Sequence, residues 1–121
     1  MTPFGEKVRE LRKTRGITMK QMAKDLEVSS AYLSALEHGK RGKPGPGFVM
    51  QVAGYFNLIW DDAEDLKELA GLSHPRVVVD TVDRSANATL LANLLSRRIM
   101  RLDEETIGDL IARIEQTIPG K

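Results

Sequence analysis

A chain of 121 residues, 41% hydrophobic and 29% charged, can build one small core and an appended association segment but not a large catalytic architecture. It contains no cysteine, which excludes a disulfide framework, thiolate-bound zinc and a cysteine nucleophile. The formal net charge of +1 conceals a polarity: residues 1–45 hold ten Lys or Arg against five Asp or Glu, so they carry +5 and the remainder −4. That asymmetry points to one half that meets phosphate and another with a different task. No apolar run follows a basic start, and none approaches the roughly 18 apolar residues of a membrane span, so a cytoplasmic protein without membrane contact is expected.

The first predicted element is a helix opened by Thr2-Pro3, a capping residue followed by a proline with the fixed φ of a first turn. Phe4, Val8 and Leu11 recur at helical spacing, and Gly16 ends it. Thr18 with Gln21 three residues on has the form of a capping box, and Met22, Ala23 and Leu26 give the second helix one apolar stripe. Ser29 can cap a third helix, from about Ser29 to His38, which turns Leu33 and Leu36 inward and stops at Gly39. From Gly39 to Gly47, four glycines, two prolines and three cations predict a loop with little intrinsic order.

A fourth helix is marked by Phe48, Val49, Val52, Ala53 and Phe56, with Leu58, Ile59 and Trp60 adding bulk near its end. Asp61 or Asp62 can cap a fifth, carrying Ala63, Leu66, Leu69 and Ala70 inward and ending at Gly71. Five helices are then complete. The β-branched run Arg76 to Val82 favours an extended segment, and a lone strand would need a partner, which a second copy of the chain can supply. Two amphipathic helices follow, from Ala88 to Arg101 with Leu90, Leu91, Leu94, Leu95 and Ile99, and from Glu104 to Ile118 with Ile107, Leu110, Ile111 and Ile114.

Function resides in the second and third helices. Two short helices held at a steep angle let the second lie in a DNA major groove while the first crosses the backbone, which demands a small residue at their contact and apolar residues beneath. Ala23 meets the first demand, and Met22, Leu26, Val28, Leu33 and Leu36 meet the second. The run TMKQMAKDLEVSSAYLSALEHGK, above all Ser29 to Lys40, resembles the helix-turn-helix of the XRE family, relatives of the lambda and 434 phage repressors and Cro. The resemblance covers about Phe4 to Gly71. It implies a mainly α fold: a five-helix, lambda-repressor-like DNA-binding domain over residues 1–71, followed over 72–121 by an extended segment and a helical dimerisation region.

What the resemblance further implies is double-stranded DNA binding, usually as a homodimer on a two-fold operator. Ser29, Ser30 and Ala31, with Ala35 a turn later, take base-facing positions. Their chemistry is modest, since none makes the bidentate contact that identifies guanine or adenine, so DNA shape has to share in specificity. Phosphate contacts fall to Thr18, Lys20, Gln21, Tyr32 and Ser34, and Lys40, Arg41 and Lys43 reach the backbone or minor groove from the loop. Glu27 stands where the family commonly has glycine in a left-handed turn, at a cost on the order of 1 kcal/mol.

Other sites are set aside on physical grounds. Asp61, Asp62, Glu64 and Asp65 cluster where a helix begins, and acids there oppose the macrodipole without any need for a metal. With only His38 and His74 as histidines, neither a metal site nor a hydrolytic triad is expected, and Lys67 and Lys121 do not sit in a tail able to build a self-cleaving Ser-Lys domain. No enzyme activity, cofactor or metal is therefore expected. The leucine and isoleucine stripes beyond Ala88 can pack either on the first domain or between subunits. The intersubunit role is preferred because the first domain closes its core by Gly71, and burial at about 25 cal/mol per Å² would hold two chains together. Val77, Val79, Leu91, Leu94, Leu95, Ile99, Ile107, Leu110, Ile111 and Ile114 are the expected dimerisation residues. The reading that follows is a homodimeric transcriptional regulator, a repressor in preference to an activator. The alternative is an antitoxin-type regulator whose C-terminal region holds a protein partner and whose DNA binding is autoregulatory.

Overall fold

The computed structural model describes residues 1–117 and divides the chain into a first unit, Met1–Val77, and a second beginning at Val78. The first contains α1 (Pro3–Arg15), α2 (Met19–Asp25), α3 (Ser30–Glu37), α4 (Pro46–Tyr55) and α5 (Asp61–Gly71). The second contains α6 (Ala86–Arg98), a single 3-10 turn (Ile99–Arg101) and α7 (Glu104–Thr117). No helix among the described residues is long and apolar enough to cross a membrane.

Side-chain caps set the starts of α1, α2 and α3. The hydroxyls of Thr2, Thr18 and Ser29 accept from the backbone N–H of Gly5, Gln21 and Tyr32, each at 3.0 Å. Only half of the expected capping box forms, because the Gln21 side chain turns forward to Asp25 and does not reach back to Thr18. Phe4 and Val8 of α1, Met22 and Ala23 of α2, Leu33 of α3, Val49, Val52 and Ala53 of α4 with Phe56 just after it, and Leu66 and Ala70 of α5 form one core.

Beside that core lies an ion pair. Arg12 and Glu37 are 6% and 1% exposed, and the Arg12 guanidinium donates both amino groups to the Glu37 carboxylate. The same glutamate binds α1 by its backbone: its carbonyl accepts from Thr2 N–H at 2.9 Å and from the Thr2 hydroxyl at 3.1 Å. A helix end leaves carbonyls without partners, and here the N-cap of one helix satisfies the end of another. The approach is so close that a Cβ on Gly5 would stand 2.2 Å from that carbonyl oxygen, which only glycine permits.

Several expectations are corrected. The fourth helix starts earlier than expected, at Pro46, and Ile59 and Trp60 are 65% and 82% exposed because the chain turns out of it at Asn57 (φ 55°). Neither Asp61 nor Asp62 caps α5; Trp60 occupies that position without a side-chain bond, and the aspartates belong to the first turn. Gly71 is the last residue of α5, not its terminator, and just beyond it the buried Ser73 hydroxyl accepts from Phe4 N–H at 2.9 Å and donates to the Leu69 carbonyl at 2.6 Å. Residues 76–82 form no strand: a single chain offers them no partner edge, and Val77, Val78, Val79 and Val82 stay exposed. In the second unit the first helix begins at Ala86 and ends at Arg98, and the expected terminus at Ile118 lies outside the described residues.

Removing one member of the buried pair strands the other, so Glu37→Ala should lower the unfolding free energy in urea by about 3–5 kcal/mol. Replacing both by apolar residues, Arg12→Met with Glu37→Leu, should lose far less, because no buried charge remains. Equal losses in the two proteins would show that the pair is not desolvated.

Candidate nucleic-acid interface

Burying Leu33 and Leu36 rotates α3 so that Ser30 and Ala31 face solvent at its N-terminal end. Tyr32, Ser34 and Ala35 are half-buried, and Ser29 is exposed at the cap. Thr18, Lys20 and Gln21 are exposed at the start of α2. Between the two helices Glu27 takes φ 59°, the left-handed conformation for which the XRE resemblance implies glycine. Val28 N–H donating to the Ala23 carbonyl at 2.9 Å closes that turn.

The loop after α3 is more ordered than its composition predicts. Gly39 and Gly42 take φ of 78° and 77°, a conformation glycine adopts without a steric penalty, and Gly42 N–H donates to the Gly39 carbonyl at 3.2 Å. Lys40 N–H donates to the Ala35 carbonyl at 2.9 Å, and Pro44 is buried, so both ends of the turn are fixed. Lys40, Arg41 and Lys43 project from it into solvent. Arg41 is held: its guanidinium lies 5.3 Å from the centre of the Tyr32 ring, which meets Phe48 edge-on at 6.1 Å. The ring of Tyr32, whose expected role is a phosphate contact, is also the platform on which a cation is set beside α3.

A second network ties α2 to α4. Gln21 donates through Nε2 to Asp25 Oδ1 at 2.8 Å, and the Tyr55 hydroxyl donates to Asp25 Oδ2 at 2.6 Å. Gln21, another expected phosphate contact, is thus oriented by groups the sequence reading did not single out. Partial burial and then the Asp25 carboxylate push the Tyr55 phenol up to about 12. His38, at the far end of α3, places Nδ1 2.9 Å from the Ser34 carbonyl, and His74 Nδ1 accepts from Arg76 N–H at 3.2 Å in an exposed loop. The groove between α1 and α5 is lined by Lys7, Arg15, Asp62, Asp65 and Glu68, and lies on other elements than this face.

The model of a helix-turn-helix domain family matches residues 5–72, more than half of the chain. The chain belongs to this helix-turn-helix family. The resemblance of Thr18 to Lys40 to the XRE family is borne out by the same match and by two relatives from Bacillus subtilis (strain 168). The HTH-type transcriptional regulator RghRB is 39% identical over 62 residues, covering 51% of this chain and 45% of the relative. The HTH-type transcriptional repressor RghR is 43% identical over 53 residues, covering 44% of this chain and 39% of the relative. The chain therefore matches less than half the length of either relative. No solved structure gives a significant match. In helix-turn-helix terms α2 and α3 are the paired helices, and α1, α4 and α5 are their support.

A phenol whose pKa is raised on folding contributes stability that is complete below the ordinary value of 10 and is lost as pH rises through about 12. Wild type should accordingly lose stability across that alkaline window, whereas Tyr55→Phe should be less stable at neutral pH and show less of that alkaline loss. Ultraviolet difference titration of the two proteins, followed alongside thermal unfolding, tests this. A Tyr55 phenol that ionises at 10 would contradict the Asp25 contact.

Proposed function

We propose that the chain is a sequence-specific double-stranded DNA-binding transcriptional regulator, a repressor acting as a homodimer, with α3 in the major groove. One observation carries the reading: the start of α3 faces solvent and is nearly neutral at Ser30 and Ala31, Arg41 is set against the Tyr32 ring of the same helix, and Lys40 and Lys43 stay exposed on the turn that follows. Small hydroxyl and methyl groups can approach base edges without a desolvation penalty for charge, while the flanking cations hold the sugar-phosphate backbone. The helix N-terminus adds free amides on the same side. Membership of the helix-turn-helix family and similarity to proteins named as a transcriptional regulator and a transcriptional repressor support the same reading.

With only small side chains on α3, discrimination between bases rests partly on DNA shape, and affinity rests strongly on phosphate. The homodimer reading draws on the second unit, whose aliphatic residues find no core of their own. A cytoplasmic location accords with this role, which requires no catalytic group, cofactor or metal.

A genomic binding selection on the full chain at moderate salt should return a two-fold site with half-sites about 34 Å apart or a further multiple of the helical repeat. Ser30→Glu, which sets a negative charge at the groove surface, should abolish enrichment of that site while leaving the fold intact by circular dichroism. Equal enrichment by wild type and variant would move the interface elsewhere. Arg41→Ala should weaken binding to all sequences to a similar degree and flatten the dependence of log affinity on log salt by about one contact. An unchanged slope would remove Arg41 from the phosphate contacts.

A further inference from the structure

Every described residue from Val78 to Thr117 is exposed or half-exposed, and α6 and α7 share no packed interface within the chain. Yet both carry continuous aliphatic stripes. Leu90, Leu91 and Leu94 on α6 are 55, 54 and 37% exposed, and Leu110, Ile111 and Ile114 on α7 are 37, 53 and 56% exposed. Helices this short are marginal unless an apolar face is buried, so these two need a cover.

Their charges indicate which. From Ala86 to Arg101 the chain carries Arg97, Arg98 and Arg101 and no acid, a net +3. From Glu104 to Thr117 it carries Glu104, Glu105, Asp109 and Glu115 against Arg113 alone, a net −3. The charges also prolong the stripes. Arg98 lies four residues after Leu94 and seven after Leu91, so it ends the α6 stripe at its C-terminus; Glu104 lies three before Ile107 and seven before Ile111, so it begins the α7 stripe at its N-terminus. Antiparallel apposition of an α6 with an α7 therefore sets leucine against isoleucine along the stripe and Arg98 beside Glu104. The lengths match as well: 13 and 14 residues, each about 20 Å at 1.5 Å per residue. An α6 laid antiparallel on another α6 would place Arg98 over a first helical turn that carries no acid of its own.

Resting on the homodimer reading above, we propose that α6 of one copy packs antiparallel on α7 of a second copy and that α7 of the first packs on α6 of the second. The two-fold axis repeats the pair, so four helices close one bundle and no stripe stays bare. The Arg98–Glu104 contact between copies fixes the direction and partner of each helix.

Charge placement at helix ends also suits the macrodipole without any pairing, and a mixing experiment separates the two. Self-association of the full chain is measured by sedimentation equilibrium for wild type, Arg98→Glu, Glu104→Lys, their one-to-one mixture, and the double variant in one chain. Each single variant should self-associate about tenfold more weakly than wild type, as expected for a coupling in the usual range for contacting charges. The mixture should form a heterodimer, and the double variant a homodimer, each within about threefold of wild type. A double variant that recovers while the mixture does not would place the ion pair within one chain and overturn the exchange while leaving the homodimer intact. Single variants that associate as tightly as wild type would also overturn it. A wild-type chain that stays monomeric at all concentrations would overturn both the exchange and the homodimer reading.

Discussion

At the end of α3, Glu37 meets α1 at two levels: its carbonyl takes the Thr2 cap beside the bare Gly5 at the start of α1, and its carboxylate takes the Arg12 guanidinium from the last turn. The interactions are of two kinds. The backbone bonds from Thr2 satisfy a carbonyl that a helix end would leave bare, and the ion pair neutralises two charges that burial would otherwise penalise heavily. Because both are directional, they fix the rotation and height of α3 relative to α1, which hydrophobic burial of Leu33 and Leu36 alone would leave loosely set. A buried pair of this sort is weak evidence of net stabilisation, and its consequence here lies in specifying one arrangement of the helices.

That arrangement decides what α3 displays. With Glu37 turned into the interior and Leu33 and Leu36 in the core, the remaining arc carries Ser30, Ala31, Ser34 and Ala35, residues too small to claim a base on their own. The larger groups stand around it, and the structure restrains them. Arg41 rests on Tyr32, which is braced by Phe48, and Gln21 is tied through Asp25 to Tyr55 on α4. Cations and polar groups held before binding lose less conformational freedom when they bind, which favours contact with a regular backbone. The proposed interface is thus a small-residue helix framed by groups anchored to α3, α4 and each other.

The second unit follows a different logic. The first closes its core within itself, whereas α6 and α7 keep their aliphatic stripes in solvent and do not pack together within one chain. In the proposed homodimer, the surfaces that cover these stripes would also set the number of domains brought to a binding site.

Much of the first unit was legible in the order of residues, because caps and apolar spacing act locally: Thr2-Pro3, Thr18 and Ser29 open helices, and the stripes through Leu33, Val52 and Leu66 point inward. Arg12 could have been noticed, since it continues the spacing of Phe4 and Val8 onto the core face, where a cation demands a buried partner. Which acid would answer it, that Gly5 would meet the end of α3, and that Tyr55 would reach Asp25 all depend on groups separated by 25 to 35 residues. Residues 76–82 illustrate the opposite case: β-branched composition expresses a preference, but a strand exists only where another edge accepts its hydrogen bonds. Sequence by itself determined the helices and the family, since both rest on short-range patterns. Tertiary structure alone decided which side chains are restrained around α3, because that depends on contacts between distant segments that no local spacing encodes.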